Sequence, residues 1–148
     1  MTVDTTIRDL LPHRGSSLLL DQILEHDATA TVCSVDLSNQ RWLRNPDNSV
    51  SSWLAVEYMA QCMTAHEGLR AQAEHLPREA GMLVALSNLH LKTRSFDAGQ
   101  QLRVKTEPSR GRIGLRVFSH ICRVFENEND PIAQARLTIA LERPAAQK

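Results

Sequence analysis

Polar and apolar side chains alternate over residues 29–37, with Ala30, Val32, Ser34 and Asp36 on one side and Thr31, Cys33, Val35 and Leu37 on the other. A period of two predicts a strand half buried against a core. Upstream, residues 18–25 read as another strand, and residues 5–11 as a short helix capped by Thr5 and ended by Pro12. Residues 38–52 are polar, carry Asn45-Pro46-Asp47-Asn48, and read as a loop. Helical spacing then runs from Trp53 to about Glu74. Its first half is almost wholly apolar, and it becomes amphipathic only where Glu67, Arg70, Gln72 and Glu74 appear. Past Pro77 and Gly81 the pattern returns to strand over residues 82–92, 101–107, 113–125 and 132–142, the last three joined as hairpins, with a fraying tail at 144–148.

Two strands, a long helix and four more strands in series predict an α+β fold: an antiparallel sheet of about six strands wrapped around one long central helix. The chain, at 148 residues, reads as one domain over 1–148. A helix enclosed by a curved sheet loses solvent on nearly all sides, which accounts for an apolar first half. Edge strands and an apolar flank remain for a second copy to cover, so at least a dimer is expected.

Charge changes the picture by exclusion. Seventeen basic and seventeen acidic residues cancel, and the basic ones are scattered, so nucleic acid is not an expected partner. The first ten residues lack a basic segment followed by an apolar one, and no run approaches the roughly 18 apolar residues of a membrane span. A cytoplasmic protein is expected. Cys33, Cys62 and Cys122 are odd in number, far apart and set among apolar residues, which suits buried free thiols better than disulfides or a zinc site. No metal-ligand spacing, glycine-rich phosphate loop or Gly-x-Ser-x-Gly motif is present, so no metal and no bound cofactor are expected.

Within this frame Glu57 stands out, one turn into the apolar half of the helix. A buried carboxylate costs several kcal/mol unless it is protonated, hydrogen-bonded or working on a ligand. Gln61, one turn on, shares its face and is placed to hold the carboxylate or a substrate oxygen. Lys92 and Arg94 follow a buried strand and suit a phosphate or an acidic partner. Of six histidines, His13, between Pro12 and Arg14, is the candidate for catalytic duty. His66 is out of phase with Glu57 and reads as structural, His90 and His120 lie in strands, and His26 and His75 read as solvated.

Leu10-Leu11-Pro12-His13-Arg14 leading into Leu18-Leu19-Leu20-Asp21, with Glu57-Tyr58-Met59-Ala60-Gln61 later, resembles the FabZ-type 3-hydroxyacyl-acyl-carrier-protein dehydratases of the hotdog fold. That family carries Glu-Ala-Met-Ala-Gln on its central helix, and its basic segment and Gly-containing turn are similar to residues 92–99 here. Its catalytic histidine sits in a Gly-His-Phe-Pro-Gly loop before the helix, whereas residues 42–50 contain neither histidine nor glycine. A Leu-Pro-His-Arg opening and a Glu-Tyr-Met-Ala-Gln helix without that loop look most like the dehydratase-like subunit of aryl-polyene clusters. The resemblance implies fatty-acid or aryl-polyene biosynthesis, with a substrate carried on the phosphopantetheine of acyl carrier protein and Glu57 as acid or base. It also implies a homodimer, or a hetero-oligomer with another hotdog subunit that supplies the histidine. A non-catalytic acyl-binding partner subunit and a hotdog thioesterase, with a carboxylate activating water, are the alternatives.

Overall fold

A computed structural model describes residues 6–12, 15–77, 81–109, 116–127 and 129–141. The chain opens with α1 (Ile7–Leu10), where the Asp9 carboxylate receives the Thr6 main-chain N–H and hydroxyl at 3.2 and 2.8 Å. Thr6 is therefore the N-cap. Thr5, expected in that role, lies outside the described residues, as do His13 and the tail.

The strands follow as β1 (Gln22–His26), β2 (Thr31–Asp36) and β3 (Ser49–Ser51), then α2 (Leu54–Ala73), then β4 (Gly81–Leu91), β5 (Ser95–Asp97), β6 (Gln101–Pro108), β7 (Val117–Phe125) and β8 (Pro131–Leu141). Six of them form one antiparallel sheet in the order β1-β2-β6-β7-β8-β4. This is the expected hotdog arrangement. In β2 the alternation is realised as predicted, with Thr31, Cys33 and Val35 buried and the residues between them half buried. The expected strand over 18–25 begins only at Gln22: the Asp21 N–H already reaches the Ser34 carbonyl of β2, but both main-chain polar groups of Leu19 are taken by side chains.

The loop over 38–52 is more ordered than its composition suggested. Two 3-10 turns, Leu37–Asn39 and Arg41–Leu43, lead into β3, which pairs with β5 so that Ser49, Val50 and Ser51 face Asp97, Phe96 and Ser95. Val50 and Phe96 are buried, and they account for so short a ladder.

The sheet covers one side of α2. Ala55, Tyr58, Met59, Gln61, Cys62, Met63, Ala65, His66 and Leu69 form a buried stripe along the helix, which packs on β2, β6, β7 and β8. The first half is thus not enclosed all round: Trp53 is 64% exposed, and Leu54, Val56 and Glu57 are half buried. α1 crosses the far end, where Leu10 comes so near that a Cβ at Gly68 would meet its Cδ2 at 3.2 Å. Cys33, Cys62 and Cys122 are free and fully buried, as the sequence predicted.

Candidate functional site

One helical turn brings Gln61 under Glu57, and Gln61 Nε2 donates to Glu57 Oε1 at 3.0 Å. The amide is itself anchored, because Nε2 also donates to the Ser17 carbonyl at 2.8 Å and Oε1 accepts the Leu19 N–H at 3.0 Å. The Leu19 carbonyl accepts from Gln40 Nε2 at 2.8 Å, and Gln40 Oε1 accepts from the Tyr58 hydroxyl at 3.2 Å. Burial pushes the Tyr58 phenol well above the usual tyrosine range, so it stays a donor. Glu57 is half buried while Gln61, Gln40 and Tyr58 are buried, so a carboxylate at the margin of the core is braced from behind by uncharged groups.

The other predicted site residues divide. Arg94 offers its carbonyl to the Ser52 N–H at 3.1 Å, a consequence of the β3 and β5 ladder, so the exposed segment with Lys92 and Arg94 sits beside the N-terminal end of α2. Glu57 is five residues along from Ser52, about 7.5 Å of helix rise. The structure thus brings Glu57 and Gln61 together and sets the basic segment near their turn, while His13 lies outside the described residues. Sequence reasoning missed Gln40 and the hydroxyl of Tyr58. A buried glutamine at the end of a polar loop has no periodic signature, and Tyr58 reads as one more core aromatic.

A second polar cluster lies under the other half of α2. Thr31 Oγ1 sits 2.6 Å from His26 Nδ1 and 2.7 Å from His66 Nδ1, and its single proton can go to only one of the two rings. His120 Nε2 lies 2.9 Å from Glu67 Oε1, and its Nδ1 lies 2.7 Å from Thr106 Oγ1, which in turn is 3.3 Å from Cys122 Sγ. A carboxylate only accepts, so His120 carries a proton on Nε2, facing Glu67. Burial, reinforced by His120, lowers the His66 pKa to about 4. For Glu67 burial acts upward, but hydrogen bonds from His120 and Arg70 outweigh it and hold the carboxyl below its ordinary range. His66 and His120, read from sequence as structural, are buried and hydrogen-bonded. His26, expected to be solvated, is half buried against His66, with ring centroids 5.2 Å apart, because the β1 hairpin folds it inward onto Thr31.

Solved structures of similar shape share this fold. The dehydratase heterocomplex ApeI:P from Xenorhabdus doucetiae matches with a TM-score of 0.85 at 19% identity, over 94% of this chain and 92% of that one. AziG of S. sahachiroi matches at 0.62 and 14%, over 84% and 92%. A hypothetical thioesterase with coenzyme A from Streptococcus pneumoniae matches at 0.61 and 11%, over 82% and 84%. No curated protein sequence matches the chain. The family model described as ApeP-like, ApeP dehydratase, matches residues 5–147, and the chain belongs to that family, a hotdog dehydratase-like protein related to aryl-polyene clusters.

Proposed function

We propose that the chain is one subunit of a hetero-oligomeric hotdog dehydratase that removes water from 3-hydroxyacyl thioesters carried on acyl carrier protein. The observation that carries this reading is the Glu57 carboxylate, set at the margin of the core and held by the amide of Gln61. Dehydration needs a base to take the proton from C2 and an acid to protonate the hydroxyl leaving C3. Glu57 supplies one of these, and a histidine of the partner subunit supplies the other, since residues 42–50 carry none. His13, the candidate named from sequence, is the residue of this chain to test beside it.

Two further features support the assembly. The Xenorhabdus relative is itself a heterocomplex. Here β4, at the sheet edge, leaves Met82, Leu83, Val84 and Leu86 between 39% and 56% exposed, and covering each would contribute about 1 kcal/mol. For the carrier, the exposed Lys92 and Arg94 beside the start of α2 suit the phosphate of a phosphopantetheine arm or an acidic carrier surface.

The test is turnover of 3-hydroxyacyl-carrier protein to enoyl product by the chain with and without a second hotdog subunit. Activity of the pair that survives Glu57→Gln undiminished would sink the catalytic assignment. Turnover by the pair that is indifferent to Glu57 but lost without this chain would favour a silent acyl-binding subunit. Free acid in place of enoyl product would mark a thioesterase. Arg94→Glu is expected to raise KM for the carrier-bound substrate more than it lowers kcat.

A further inference from the structure

We infer that Gln40 and Tyr58 are positioning residues for the Glu57 carboxylate, acting through the main chain of Leu19 and the amide of Gln61; this rests on Glu57 being the acid or base proposed above. Leu19 lies before β1, and both of its main-chain polar groups are met by side-chain amides: its N–H by Gln61 Oε1 from α2, its carbonyl by Gln40 Nε2 from the loop. These contacts set the direction of both amides. A carbonyl can only accept, so Gln40 must turn Nε2 to Leu19 and Oε1 to the Tyr58 hydroxyl. An N–H can only donate, so Gln61 must turn Oε1 to Leu19 and Nε2 to the Ser17 carbonyl and Glu57. Glu57 is therefore offered a donor, and not an acceptor, because the backbone at residues 17–19 is held where it is.

Leu19, Gln40, Tyr58 and Gln61 are each 5% exposed or less. Water has little access to replace a lost link, so the loss passes along the chain of bonds instead of being absorbed at the surface. Tyr58 faces the core and Gln40 sits in the loop, so their effect on chemistry must travel through Leu19 and Gln61.

Tyr58→Phe removes one oxygen and no core volume, and Gln40→Met keeps length while removing both polar atoms. Each is made in this chain and assayed in the complex with its hotdog partner. The expected result is a kcat lower by about five- to tenfold, the worth of one to one and a half kcal/mol, with KM within about twofold and the acid limb of the kcat profile displaced. In a Glu57→Gln background the same substitutions are expected to add nothing further. Equal losses in both backgrounds, or an unchanged kcat and pH profile, would overturn the proposal. A second readout needs no substrate: the side-chain NH2 resonances of Gln61, identified by their loss in Gln61→Ala, should shift and exchange faster in Tyr58→Phe, and unaltered resonances would also overturn it. If no turnover depends on Glu57, the proposed function fails, while the resonances still decide the coupling.

Discussion

Gln61 Nε2 stands 3.0 Å from Glu57 Oε1, and the same nitrogen is tied to the Ser17 carbonyl at 2.8 Å, so the amide cannot turn its oxygen toward the carboxylate without breaking two anchors. Replacing it by Gln61→Glu puts a second carboxyl where a donor stood. Two carboxylates at that distance cannot both ionise, and one takes up a proton. Its folded pKa then lies above the unfolded glutamate value of about 4.3, so the folded state is favoured below that value and loses stability as pH rises through the folded pKa. Urea titrations at pH 4.5 and 8 should show the stability of Gln61→Glu relative to the parent falling at the higher pH, against the gain that His66 gives both chains. A parent-like pH dependence would mean that the two side chains do not share one site.

His66 gives the opposite slope. Its folded pKa, about 4, lies below the ordinary 6.5, because its ring is buried among His26, His120 and Thr31 and the charged form loses solvent. The unfolded chain binds the proton first. Stability is therefore complete above about pH 6.5 and falls as pH drops toward 4, by roughly 3 kcal/mol over the full window. Glu67 adds to the loss below the ordinary carboxylate range, since its own pKa is depressed. His66→Gln, which cannot charge, is expected to flatten unfolding free energy between pH 6.5 and 4.5 while keeping the Glu67 part at lower pH. Denaturant midpoints across that range check it.

The pattern of the chain made the sheet and the helix legible because both rest on periodicity. Thr31, Cys33 and Val35 alternate inward as their spacing predicted, and the stripe from Ala55 to Leu69 follows the helical turn. Glu57 and Gln61 were legible for the same reason, since a spacing of four places them together in any helix. What escaped was contact set by tertiary position. Gln40 reaches Leu19 across 21 residues, and Tyr58 reaches Gln40 across 18, with no local pattern to announce either. The β3 and β5 ladder escaped because three residues are too few for an alternation to register. Trp53 was misjudged on chemistry alone: an apolar residue at a helix start reads as core, but the sheet covers α2 from one side and leaves it exposed.

The three thiols should be inert in the folded chain. Cys62 Sγ lies 3.7 Å from Cys33 Sγ and points at the carbonyls of Thr31 and Val104, and burial drives its pKa well above the ordinary thiol value. Cys122 is pushed up to about 12 by burial. Thiolate, the reactive form, is scarce at these two, and all three thiols are buried out of reach of a reagent. A disulfide reagent at pH 8 is expected to find no fast-reacting cysteine in the native protein and all three in denaturant. A fast native phase would show that the region between α2 and β2 opens readily.

The two edges of the sheet are not equivalent, and the difference marks β4 as the one that the proposed partner subunit would cover. β1 is five residues long, with Gln22 and Glu25 exposed on it and Asp27 exposed just beyond its end, so its edge is guarded by polar and charged groups. β4 is eleven residues long, with Met82, Leu83, Val84 and Leu86 open to solvent. Both strands carry an irregular register, so length and side chains, not bulges, separate them. Val84→Lys on β4 and Leu24→Lys on β1 replace residues of similar exposure, 52% and 42%. Neither should change folding by more than about 0.5 kcal/mol, as surface substitutions rarely do. If β4 is the shared edge, Val84→Lys buries an unpaired ammonium and weakens association by about 2 kcal/mol or more, over tenfold in Kd, while Leu24→Lys leaves it unchanged. Sedimentation of each variant with the hotdog partner reads the difference directly, and a loss confined to Leu24→Lys would move the interface to the opposite edge.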